Sequence, residues 1–139
     1  MIADVAGWFT DGTTSSAAGL FVAVPPARIL DTRTTSGPVG PNASIVLPVA
    51  GQGGVPVMSA PVAPTAVVLN VTVTNPTAGS YLTAWPDGAQ RPPASDLNYV
   101  AGLTVPNLVV VKLGSDGAID LYNAFGSADV IVDVVGWYS

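Results

Sequence analysis

Apolar and polar residues alternate with a period of two along much of the chain, most clearly in AVVLNVTVT (residues 66–74). There Val67, Leu69, Val71 and Val73 point one way while Val68, Asn70, Thr72 and Thr74 point the other, which predicts a strand with one core face and one partly wet face. Shorter strands are expected in SIVLPVA (44–50), SYLTAW (80–85) and SDLNY (95–99). GLFVAVPPARILDTR (19–33) reads as two strands broken by Pro25 and Pro26, and Pro48 suits an edge or a strand end, because proline brings no N–H to a ladder. LVVVKL (108–113), GSDG (114–117) and AIDLYN (118–123) read as a hairpin, since Asp116-Gly117 supplies the positive φ angles of a tight turn. VIVDVVGWYS (130–139) is apolar on both sides, with Val130, Val132, Val134 and Tyr138 on one and Ile131, Asp133, Val135 and Trp137 on the other. It is expected to be a central or covered strand in which Asp133 is paired. The tracts TTSGPVGPNAS (34–44) and GQGGVPVMSAPVAPT (51–65) are dense in turn formers and read as irregular.

About nine strands and no helix predict an all-β fold, a two-sheet antiparallel sandwich of jelly-roll type. A β-trefoil is the alternative, because VTVTNPTAGSYLTAW and VVVKLGSDGAIDLYN share a strand–turn–strand rhythm; no convincing third copy occurs.

The closing segment has a twin. MIADVAGWFT (1–10) matches it at Ile2, Asp4, Val5, Gly7 and Trp8, and Asp4 recurs as Asp133, 129 positions on. Repetition at that period predicts a module from a tandem array: residues 1–10 as the terminal strand of a preceding repeat, 11–19 (DGTTSSAAG) as a flexible linker, and 20–139 as a single sandwich module. Two segments suited to one slot also allow strand exchange between molecules, giving head-to-tail fibres or swapped dimers.

Composition narrows the function classes. With 15 Gly and 13 Pro in 139 residues, turns are frequent, as a sandwich of short strands requires. Nine Asp stand against Arg28, Arg33, Arg91 and Lys112, for a net charge of −5, which repels nucleic acid. The absence of Cys removes disulfides, thiolate metal sites and thiol catalysis. No apolar run reaches the roughly 20 residues of a membrane helix, so no membrane insertion is expected. No signal-peptide pattern marks the opening residues, and the expectation is that export is encoded elsewhere in a longer parent.

Candidate chemistry is sparse. ILDTR (29–33) is similar to the Asp-Thr-Gly of aspartic proteases, but Arg33 takes the glycine position and a second copy is missing, so the proton-sharing dyad cannot be assembled. Asp31, Asp4 and Asp133 instead sit on apolar strands, where carboxylates need partners, and Arg28 and Arg33 are the nearest cations; a structural ion-pair set is the reading. Without His, Cys or Glu, acid–base catalysis falls to Asp pairs such as Asp87 and Asp96, which lack motif context, so no catalytic residue is assigned and no enzyme is expected. SDGAID (115–120) lacks the alternating oxygens of a calcium loop and reads as a turn, so neither metal nor cofactor is assigned. Tyr81, Trp85, Tyr99 and Tyr122 lie among Thr, Asn and Asp, the mixture that stacks on sugar rings, with Tyr81, Thr83 and Trp85 on one strand face. They are carbohydrate-binding candidates, against the alternative that they fill the core or a seam between repeats.

PPARILDTR (25–33), VVLNVTVTNPTAGSYLTAWPDG (67–88) and ASDLNYVAGLTVPNLVVVKLGSDGAIDLYNAFGSADVIVDVVGWYS (94–139) together resemble a module repeated in secreted and cell-surface proteins of actinobacteria. The resemblance implies an extracellular or cell-surface, non-catalytic role as a spacer or adhesion element, with neighbouring repeats, other copies of itself or surface polysaccharide as partners. The alternative is a carbohydrate-binding module attached to a secreted hydrolase.

Overall fold

The alternating segments form eight strands in the computed structural model, which describes Val5 and residues 19–139. They are β1 (Phe21–Asp31), β2 (Ala43–Pro48), β3 (Ala66–Thr74), β4 (Ser80–Pro86), β5 (Leu97–Tyr99), β6 (Val105–Lys112), β7 (Ala118–Asn123) and β8 (Asp129–Tyr138). Two antiparallel four-stranded sheets result, ordered β1-β8-β3-β6 and β2-β7-β4-β5. This is the connectivity of an eight-stranded jelly roll, and two open, separate sheets replace the trefoil alternative. Of residues 1–18 only Val5 is described, so the strand expected at 1–10, the linker and Asp4 lie outside the described residues. Among the described residues no helix is long and apolar enough to cross a membrane.

The core lies between the sheets. Val67, Leu69, Val71 and Val73 of β3 are fully buried against Leu82 of β4, Ile119 and Leu121 of β7, and Val130, Val132 and Val134 of β8. Each such side chain contributes roughly 1.5–3 kcal/mol of burial free energy, offset by the entropy of ordering the chain.

Three expectations change. The two strands predicted around Pro25 and Pro26 are one, β1, with a register shift between Ala23 and Ala27 that lets the prolines bulge out of the ladder. β1 is an edge strand, as are β6, which carries Pro106, and β2, which ends on Pro48; a missing N–H is tolerated at such places.

The hairpin predicted over residues 108–123 is not one. β6 pairs with β3 in the first sheet while β7 pairs with β2 and β4 in the second, so the turn at 114–117 carries the chain across the core. The turn chemistry itself is present: Gly117 N–H donates to the Gly114 carbonyl (2.9 Å), and Gly117 has φ of 81°. A side chain on Gly117 would also strike Ala50. The turn residues specify a reversal and leave the pairing to the core, and among the described strands only β4 and β5 are sequence neighbours that pair.

β8 is central, between β1 and β3, but its two faces differ from simple alternation. Val68 pairs with Gly136 and Leu69 with Val134, so Val135 is an extra residue. This bulge reverses the parity beyond it. Trp137 joins Val134 in the core, and Tyr138 turns outward against Phe21, with ring centroids 5.4 Å apart.

The sandwich has two distinguishable poles. At one, the start of β1, the end of β8, the start of β3 and the end of β6 lie in one row: Phe21 pairs with Tyr138, Tyr138 with Ala66, and Ala66 with Lys112. The loops 32–42, 75–79, 100–104 and 124–128 gather at the other. They are tied together by the N–H groups of Val39, Thr77 and Gly102, which donate to the carbonyls of Ala128 (2.8 Å), Ser127 (2.9 Å) and Pro76 (2.8 Å).

Candidate functional site

Three groups of side chains have the chemistry to act: an ion-pair network on the first sheet, an aromatic layer on the second, and the loop pole.

Cross-strand register builds the ion-pair network. Arg28 on β1 lies directly opposite Asp133 on β8, and both face away from the core. The Arg28 fork meets that carboxylate twice, with Nε donating to Oδ1 (2.9 Å) and Nη2 to Oδ2 (3.3 Å). Arg33 clasps Asp31 in the same manner, with Nε donating to Oδ1 (2.9 Å) and Nη2 to Oδ2 (2.6 Å). Arg28 Nη1 reaches Asp31 Oδ2 at 3.4 Å and joins the pairs. The Arg33 guanidinium bonded to Asp31 holds its carboxyl at about 2, below the ordinary 3.8. The structure thus brings together Arg28, Asp31, Arg33 and Asp133 of the ion-pair candidates. Beside them Asp129, which sequence reasoning passed over, accepts bonds from Thr32 Oγ1 (3.0 Å) and Asn75 Nδ2 (3.0 Å).

The aromatic candidates divide. Tyr81, Thr83 and Trp85 share the outer face of β4, and Tyr122 on β7 lies opposite Thr83. Residues 87–96 fold back over this face. Trp85 Nε1 donates to the Ala89 carbonyl (3.1 Å), Thr83 Oγ1 to the Ala94 carbonyl (2.8 Å), and the Arg91 guanidinium sits 3.6 Å from the Tyr122 ring centroid. Trp85 and Tyr122 are therefore only 7 % and 6 % exposed. Tyr99 belongs to the main core at 5 % exposed, where burial pushes its hydroxyl up. Tyr81 is half-buried between Tyr122 and Phe125, at centroid separations of 6.2 and 6.4 Å.

Asn123 is the polar centre that sequence reasoning missed. Fully buried at the end of β7, it accepts from Tyr99 Oη (2.5 Å) and Ser80 Oγ (2.9 Å) and donates to the carbonyls of Val39, Gly40 and Gly126. The only signal was a strand ending on Asn before a Gly-containing turn, which is also ordinary turn chemistry.

The acidic residues at the opposite pole are held locally. Asp116 accepts from the Ala118 N–H (3.0 Å), which lowers its pKa, whereas burial first and the neighbouring Asp87 second push Asp120 up. Asp96 accepts from the Ala84 N–H (2.7 Å). Among the described residues, no group of three or more acidic, His or Cys side chains is arranged to hold a metal ion.

At the loop pole, Val100, Leu103 and Phe125 are 56 %, 57 % and 61 % exposed. A shallow depression of about 340 Å³ there is lined by Asn98, Tyr99, Val100, Leu103 and Val105. No protein-family model matches the chain, and comparison with curated proteins gives no match either.

Proposed function

We propose that residues 20–139 are a non-catalytic repeat module of an extracellular or cell-surface protein, acting as a spacer and adhesion element. Its partners in this reading are neighbouring repeats, other copies of itself and surface polysaccharide. One observation carries it. β8 is a central strand that needs neighbours on both edges and a core beneath it, its slot here is filled by Asp129–Tyr138, and residues 1–10 repeat its sequence. A second segment of that kind calls for a second module. Neutralisation of the Asp31 and Asp133 carboxylates by Arg28 and Arg33 supports a structural role for these charges. The carbohydrate-binding alternative needs an exposed aromatic platform, and the packing of Trp85, Tyr99 and Tyr122 favours the structural role over it.

A chain in which residues 20–129 precede residues 1–139 supplies the module to which residues 1–10 would belong. The expected result is two protease-resistant, cooperatively unfolding modules. If residues 20–129 remain degraded at the rate of an unfolded chain while the second module folds, the repeat reading fails. Glycan-array binding that disappears in Trp85→Ala with folding intact would establish sugar binding in its place.

A further inference from the structure

We infer that copies of this module joined in tandem are all attached at one pole, so that an array multiplies the loop pole and lengthens by no more than its linkers. The inference rests on the repeat reading above and narrows it. The chain enters the sandwich at Leu20 and leaves it at Ser139, and these residues are bonded to each other: Ser139 N–H donates to the Leu20 carbonyl (3.2 Å) and Leu20 N–H to Ser139 Oγ (3.2 Å). Phe21 and Tyr138 then pair across β1 and β8, and their rings touch. Whatever precedes Leu20 and follows Ser139 is attached at this pole. The loops carrying Val100, Leu103 and Phe125 are at the other end of the strands.

Magnitudes separate this arrangement from a rod. β8 has ten residues, so the sandwich is about 33 Å long at ~3.3 Å per residue. Modules attached at opposite poles would advance by that length at each repeat, before any linker. Attached at one pole, successive modules are separated only by residues 11–19, ten Cα steps from Thr10 to Leu20, which reach at most ~35 Å fully extended. Identical loop poles tethered this closely raise each other's effective concentration at a multivalent surface. Of the two roles in the proposed function, the geometry therefore favours repeated display over reach.

The test uses the two-module chain, residues 20–129 followed by 1–139, with cysteines at Leu20 of the first module and Ser139 of the second. The cysteine-free sequence leaves no competing thiol. Spin labels at these sites are expected within ~45 Å, the extended linker plus two strand spacings of ~5 Å. A distribution centred beyond ~60 Å, which two sandwiches end to end require, overturns the inference. Failure of the first module to fold, read by proteolysis, overturns the repeat reading instead. In that case the 139-residue chain labelled at Leu20 and Ser139 decides the shared pole: label separations under ~15 Å uphold it and separations above ~30 Å, the far end of a sandwich, defeat it.

Discussion

Asn123→Ala should destabilise the fold by about 4 kcal/mol. Truncation removes the acceptor of two hydroxyls, Tyr99 and Ser80, and the donor to three carbonyls, Val39, Gly40 and Gly126. Two of these five keep other partners. The Val39 carbonyl still accepts from the Ala128 N–H (3.1 Å), and Ser80 Oγ still accepts from the Phe125 N–H (2.8 Å). Three groups lose their bond to Asn123, the buried Tyr99 hydroxyl and the part-buried Gly40 and Gly126 carbonyls, at roughly 1–1.5 kcal/mol each, the lower half of the range for an orphaned buried group. The sum is a large part of the ~5–15 kcal/mol that holds a domain together. At ~3 °C per kcal/mol the melting temperature should fall by about 12 °C. Tyr99→Phe is the control, because it deletes one hydroxyl and leaves Asn123 bonded to Ser80; it should cost about 1 kcal/mol. Urea unfolding followed by tryptophan fluorescence measures both. A loss below ~1 kcal/mol for Asn123→Ala with an unchanged denaturant slope would refute the argument, since the five bonds would then carry no net weight. Equal losses in the two variants would place the weight on a single bond.

Gly136→Ala drives a methyl group into the Phe21 ring and to 2.9 Å from the Val22 carbonyl oxygen, and should cost about 1–3 kcal/mol, partly recovered in a Phe21→Ala background. An unchanged thermal midpoint in Gly136→Ala would defeat that packing argument. Asp31 is held at about 2 against an ordinary 3.8, so its ion pairing stabilises the fold fully above about pH 4, and the contribution is lost as pH falls from there through 2. Arg33→Ala should therefore flatten the loss of stability between pH 4 and 2; superimposable slopes for parent and variant would count against the pairing. Strand exchange requires residues 1–10 of one copy to displace β8, with its buried Val130, Val132 and Val134, from another. Chains 1–139 and 11–139 should then both scatter light as monomers, and higher mass confined to 1–139 would establish exchange.

Part of the site was legible for a local reason. Carboxylates on apolar strands, in a chain with four cations, have few ways to be paired, and Arg28, Asp31, Arg33 and Asp133 do meet. The aromatic residues were legible as a face but not as a buried one. Nothing in SYLTAW or AIDLYN announces that residues 87–96 return over them, with Arg91 on Tyr122, because the cover comes from a different stretch of chain. Asn123 was invisible for the same reason, since its partners come from four separate segments.

By itself, the sequence determined where strands form and which residues share a face, since side-chain alternation is a property of the extended backbone. It also determined that Val130–Tyr138 needs cover on both sides. Only the tertiary structure decided which strands pair, because a turn such as Gly114–Gly117 reverses the chain equally well within a sheet or across the core. The core chose the second. It also decided the faces of Trp137 and Tyr138, where one extra residue at Val135 inverts the alternation, and it placed Leu20 beside Ser139. Each of these is a contact between segments far apart in the chain, and a periodic pattern says what a strand buries without saying against what.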